Sequence, residues 1–139
     1  SEVKGSKKYF LMNKKFLILL LLIILLINCK SKQDPKGIEQ YNGNYYASGK
    51  IEVNGKDNTL WISIKDCTFG AAFSDNTNKP AFNQSDYMDV TGSGTDYNFQ
   101  DYAFKGTLRF SSDGSSVTVK YEKCQDSNLT NKYIKCYKK

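Results

Sequence analysis

From Gly43 onward the side chains alternate with a period of two, and that alternation constrains the fold more than any other feature. Tyr45, Ala47, Gly49, Ile51 and Val53 share one face, while Tyr46, Ser48, Lys50 and Glu52 take the other. A cluster of turn residues, Asn54-Gly55-Lys56-Asp57-Asn58, interrupts the run, after which Leu60, Ile62 and Ile64 resume the apolar face. Successive side chains of a strand point to opposite faces, so alternation broken by Asn-Gly reads as an amphipathic β-hairpin. Trp61, Ser63 and Lys65 are then expected to point away from the core. No window after residue 42 shows helical periodicity. The expected fold class is all-β.

The pattern recurs. Gly49-Lys50-Ile51-Glu52-Val53 leads to Leu60-Trp61-Ile62-Ser63-Ile64 and then Cys67. Gly106-Thr107-Leu108-Arg109-Phe110 leads to Val117-Thr118-Val119-Lys120-Tyr121 and then Cys124. Each cysteine stands eighteen residues after its glycine, and a Tyr-Ala pair (Tyr46-Ala47, Tyr102-Ala103) precedes each copy. Two similar hairpins of this kind bury their apolar faces against each other in a sandwich or curl into one small antiparallel β-barrel, with a lipocalin-like meander preferred. Between the copies, Ser74–Gln100 is rich in Asn, Asp, Ser and Gly and reads as a long polar loop carrying aromatic islands. Phe69 and Phe73 close a short third strand, and Tyr133–Tyr137 reads as the last one.

Ahead of this domain lies Met12–Cys29, MNKKFLILLLLIILLINC, in which a basic pair precedes eleven apolar residues, Leu17 to Ile27. A spanning helix needs about 20 apolar residues, so the run fits a secretory signal better than a permanent anchor. Its end, Leu26-Ile27-Asn28-Cys29, resembles the lipobox of bacterial lipoproteins. Asn28 stands where most members carry Gly, Ala or Ser, and spirochaete-like lipoproteins are similar in tolerating larger residues there. The resemblance implies cleavage before Cys29, acylation of that cysteine (palmitate among the chains), and a membrane partner reached through the N-terminal lipid. It also implies an extracytoplasmic place in the bacterial envelope, on the outer membrane or cell surface. The organisation expected is an upstream extension (1–11), a signal peptide (12–28), a flexible tether (29–42) and one β-domain (43–139).

The full chain has a net charge of +6, but from Cys29 onward 15 basic residues face 13 acidic ones. Arg109 is the sole arginine in the chain. Because arginine's rigid fork is the usual device for gripping bases and phosphates, nucleic acid is not an expected partner. The chain has no histidine, which removes the commonest general base and metal ligand. Gly92-Ser93-Gly94 precedes no helix and makes no phosphate loop. Asp86, Asp89, Asp96 and Asp101 fit no calcium-binding order and read as solvated loop carboxylates. No catalytic residue, metal or cofactor is expected.

With Cys29 acylated, three cysteines remain. Cys124 and Cys136 flank an eleven-residue polar stretch that doubles back as a turn, so a Cys124–Cys136 disulfide is expected; Cys67–Cys124 is the competing pair. The functional expectation is a non-enzymatic binding protein that presents exposed aromatics, Trp61, Tyr87 and Tyr97, to a protein, host or envelope partner. Two alternatives stand beside it. One is a carrier of a small apolar ligand, with Tyr45, Ile51, Ile62, Leu108, Phe110, Val119 and Tyr121 lining the cavity. The other is a structural envelope lipoprotein.

Overall fold

Asn54 and Gly55 both adopt positive φ, 52° and 75°, the conformation of a two-residue hairpin turn whose twist matches its strands. The turn joins β2 (Ile51–Val53) to β3 (Lys56–Lys65), so Lys56, Asp57 and Asn58 already belong to the returning strand. In the computed structural model, which describes residues 37–139, every strand pairing is antiparallel. The signal peptide, Cys29 and most of the expected tether lie outside the described residues.

Strand β1 (Gly43–Ala47) precedes the hairpin. It is followed by β4 (Thr68–Ser74), β5 (Tyr87–Ser93), β6 (Asp96–Gln100), β7 (Lys105–Phe110), β8 (Ser116–Lys123) and β9 (Tyr133–Lys138). Strands β3 to β9 form a meander in which each pairs with the next, and β9 returns to pair with β1. β1 and β2 bind successive stretches of β3, at Trp61–Ile64 and Lys56–Asn58, and so share one strand position. The result is a small closed eight-stranded antiparallel β-barrel, not a sandwich.

Alternation assigns the interior. Tyr45, Leu60, Ile62, Ile64, Phe69, Tyr97, Phe99, Leu108, Phe110, Val117, Val119 and Cys136 form one buried cluster. Gly106 is required where it stands: a Cβ there would lie 2.5 Å from the Phe99 ring and against the Lys120 carbonyl.

Both expected hairpins form, with different registers. Leu108 faces Val119, whereas its counterpart Ile51 faces Asn58, and Ile62 is paired with Tyr45 of β1. The tight Asn54-Gly55 turn and the longer Ser111–Ser115 turn account for the shift. Asp113 holds that longer turn by accepting from the Ser115 amide at 3.0 Å and the Ser111 hydroxyl at 2.7 Å.

Two expectations need correcting. Ser74–Gln100 is not one long loop: it contains β5 and β6, and Tyr97 and Phe99 of β6 are core residues. Its high Asn, Asp and Gly content masks a regular Tyr97–Phe99 alternation. The Cys124–Cys136 disulfide is absent, and both are free thiols. Cys136 lies opposite Val117, seven residues along β8 from Cys124, or roughly 20 Å at the rise of a strand. A bridge needs Cα atoms within about 7 Å.

Candidate functional site

The two ends of the barrel differ. At one end a 3₁₀ turn, Ile38–Tyr41, lies across the opening with Ile38 and Tyr41 buried. The Tyr41 ring stacks flat on Phe110 at 4.0 Å, and Tyr97 and Tyr45 meet Phe110 edge-on at 5.9 Å each. Such pairs contribute about 0.5–1.5 kcal/mol each beyond area burial. Their hydroxyls are satisfied by turn carbonyls. Tyr41 and Tyr97 donate to Gly94 O at 3.1 and 3.0 Å, and Tyr45 donates to Tyr41 O at 2.8 Å. Burial pushes the Tyr45 phenol up to about 12. This end is closed.

Toward the other end the inward side chains become half-exposed. Ile51, Ala71, Phe73, Phe104 and Ile134 pack on the core but are only partly buried. The 3₁₀ turn at this end, Gln84–Asp86, buries no residue, and the β8–β9 segment contributes one buried side chain, Leu129. An eight-stranded barrel is wide enough either to be filled by side chains or to hold one small ligand. Here a stacked aromatic cluster fills one end, and half-covered side chains, Phe73 and Phe104 among them, line the other. The barrel is capable of enclosing an apolar ligand. Tyr121, buried among Phe99 and Phe104, and the half-buried Cys124 bring polar atoms into this region. Burial raises the Tyr121 phenol, keeping it protonated as a donor. Cys124 donates to Asp126 O at 2.9 Å. Burial likewise pushes the Cys136 thiol up to about 12, so it is no nucleophile at neutral pH.

Beside the open end the wall is incomplete. The β1–β9 ladder stops at Ala47 and Cys136, and β2 pairs with β3 alone. A groove of about 640 Å³ separates Ala47–Glu52 from Asn128, Leu129 and Lys132–Lys135. Another hollow of about 530 Å³ lies on β6–β8, around the exposed Arg109–Asp96 ion pair at 2.6 Å.

The aromatics expected at the surface are placed otherwise. Trp61 does face away from the barrel interior, yet it is fully buried, stacked on Tyr46 at 5.3 Å with Lys139 Nζ 5.1 Å from its ring centre. Its Nε1 is buried without a hydrogen-bond partner. Tyr97 is inside the barrel at 2% exposure. Tyr87 is half-buried: its ring crosses Gly70 to share a 2.8 Å hydrogen bond with Ser63 Oγ, and Phe82 packs on it. The structure does not bring the three together on one exposed surface. Among the described residues the exposed large hydrophobic side chains are Tyr102, Tyr133 and Tyr137.

Three of the loop carboxylates have local structural roles. Asp86 accepts from the Asn83 amide at 2.6 Å, Asp101 from the Ala103 and Phe104 amides at 2.8 and 2.7 Å, and Asp96 from Arg109. Among the described residues no group of cysteine and carboxylate side chains is placed to hold a metal ion. The sequence reading missed Leu129, Lys132, Ile134 and Lys135 as groove residues. The one available signal was Ser48-Gly49-Lys50, a small and flexible interruption where the first strand breaks. Comparison with known proteins finds no match: no family model, curated protein or solved structure is similar to this chain.

Proposed function

We propose that this protein is a non-enzymatic carrier of a small apolar ligand, held at the open end of the barrel. The observation that supports this reading most is the gradient along the interior, from fully buried aromatics at the plugged end to half-covered Ile51, Ala71, Phe73 and Ile134 at the other. Small-molecule sites combine an apolar lining with a few polar groups that orient the ligand; here Tyr121 and Cys124 are those groups. The leader supplies the second part of the proposal: cleavage before Cys29 and its acylation tether the carrier to the bacterial envelope, outside the cytoplasm.

An apolar fluorescent probe, anilinonaphthalene sulfonate, tests the carrier. The protein is expected to bind it saturably with one-to-one stoichiometry. Ala71→Trp, which fills the open end from an inward, half-buried position, is expected to weaken binding at least tenfold while leaving the circular dichroism of the barrel intact. No saturable binding, or equal binding by the folded variant, contradicts the proposal.

A further inference from the structure

We propose that the gap between β2 and β9 binds an extended peptide of alternating acidic and apolar residues, which inserts as an additional strand. This goes beyond the carrier reading, because it uses the wall of the barrel and not its interior.

Along an antiparallel strand the N–H and C=O of successive residues point alternately to the two neighbours. The Lys138 amide donates to Ser115 O on the β8 side, and the Lys139 amide to Asn44 O on the β1 side. Counting back, Tyr133 and Lys135 direct their backbone groups toward the β1–β2 side, where the ladder has already ended at Cys136. On the opposite bank, Val53 and Lys56 flank a two-residue turn and Ile51 pairs with Asn58, so Glu52 and Lys50 direct theirs away from β3. Lys50, Glu52, Tyr133 and Lys135 thus present donors and acceptors from both banks of a groove of about 640 Å³. Unpaired strand edges of this kind are templates for strand addition.

The side chains specify the occupant. Lys50, Lys132 and Lys135 stand along the groove against the single carboxylate of Glu52, which favours acidic side chains on the outward face of an inserted strand. Ala47, Leu129 and Ile134 supply apolar contacts for the alternate, inward positions.

The test uses a synthetic peptide alternating Glu and Val and the intact protein, read by fluorescence anisotropy. Saturable binding is expected, weakened at least tenfold when Lys replaces Glu in the peptide, and equally when alternate peptide nitrogens are methylated. Tyr133→Pro removes one N–H aimed into the gap and leaves the β8 ladder, which uses Ile134 and Cys136; a comparable loss is expected. The methylated peptide keeps the test decisive if that variant folds poorly. Binding indifferent to backbone methylation overturns strand insertion, and so does an absence of binding. A concentration-dependent dimer that the peptide does not dissociate assigns the gap to a second copy and also overturns the proposal. Binding of anilinonaphthalene sulfonate to the same sample reports separately on the barrel interior.

Discussion

The plugged and open ends of this barrel are built from the same strands and the same kind of inward side chain, yet they differ in what covers them. At the plugged end, four residues of 3₁₀ turn place Tyr41 flat on Phe110 and bring three tyrosine hydroxyls onto turn carbonyls. At the open end, Ile51, Phe73 and Ile134 have the apolar character of a core without the cover of one. Alternation determines which side chains face inward, while the elements crossing the ends determine whether the interior is solid or available. Stability is therefore concentrated at one end and binding capacity at the other.

The sharpest way to break that comparison is to truncate one residue at each end. Phe110→Ala removes a fully packed ring from the plugged end and is expected to cost about 3–5 kcal/mol in urea unfolding. Ile134→Ala, already half-exposed, is expected to cost about 1–2 kcal/mol, because less apolar area returns to water. Equal losses would erase the distinction between the ends. Gly106→Ala belongs with the larger effects: its new methyl group meets the Phe99 ring and a backbone carbonyl, and overpacking of that kind costs about 1–3 kcal/mol.

These energetic differences also mark what was legible beforehand. The Tyr45-to-Ile64 alternation and the Val117–Tyr121 run gave the strands and their inward faces, because period-two patterning is a local property. The seven residues expected to line a cavity do face inward, but six of them, all except Ile51, are buried in the packed core. Closure of the barrel was not legible, because it depends on β9 pairing with both β8 and β1, and nothing local to Tyr133–Lys138 announces two partners. The disulfide failed for a related reason. Proximity in sequence suggested Cys124–Cys136, but register placed Cys136 beside Val117. Trp61 followed the alternation and still became buried, since facing away from the core does not ensure exposure.

The next effect in size is alkaline. The thiol of Cys136 and the phenol of Tyr45 are both raised to about 12 in the fold, from ordinary values of 9.0 and 10.0. Unfolded chains lose these protons first, so stability is intact below about pH 9 and declines as pH rises from there toward 12. Melting temperature measured across that range is expected to fall, and Cys136→Ala to delay the onset by about one pH unit; a flat profile contradicts the burial of both groups. Native-state alkylation gives a smaller contrast: Cys124 is expected to be labelled well before Cys136, which is fully buried. Peptide mapping that finds the two joined would refute the pairing register. Smallest of all, Asp96→Asn removes an exposed ion pair and is expected to leave the urea midpoint nearly unchanged.

The central claim is that the unplugged half of the barrel receives an apolar ligand. Methyl-resolved NMR during titration with anilinonaphthalene sulfonate tests it most directly. Saturable shifts are expected at Ile51, Ala71 and Ile134, with Ile38 and Val117 on the plugged side unmoved. Shifts confined to Ile38 and Val117, or no saturable shifts at all, would contradict it.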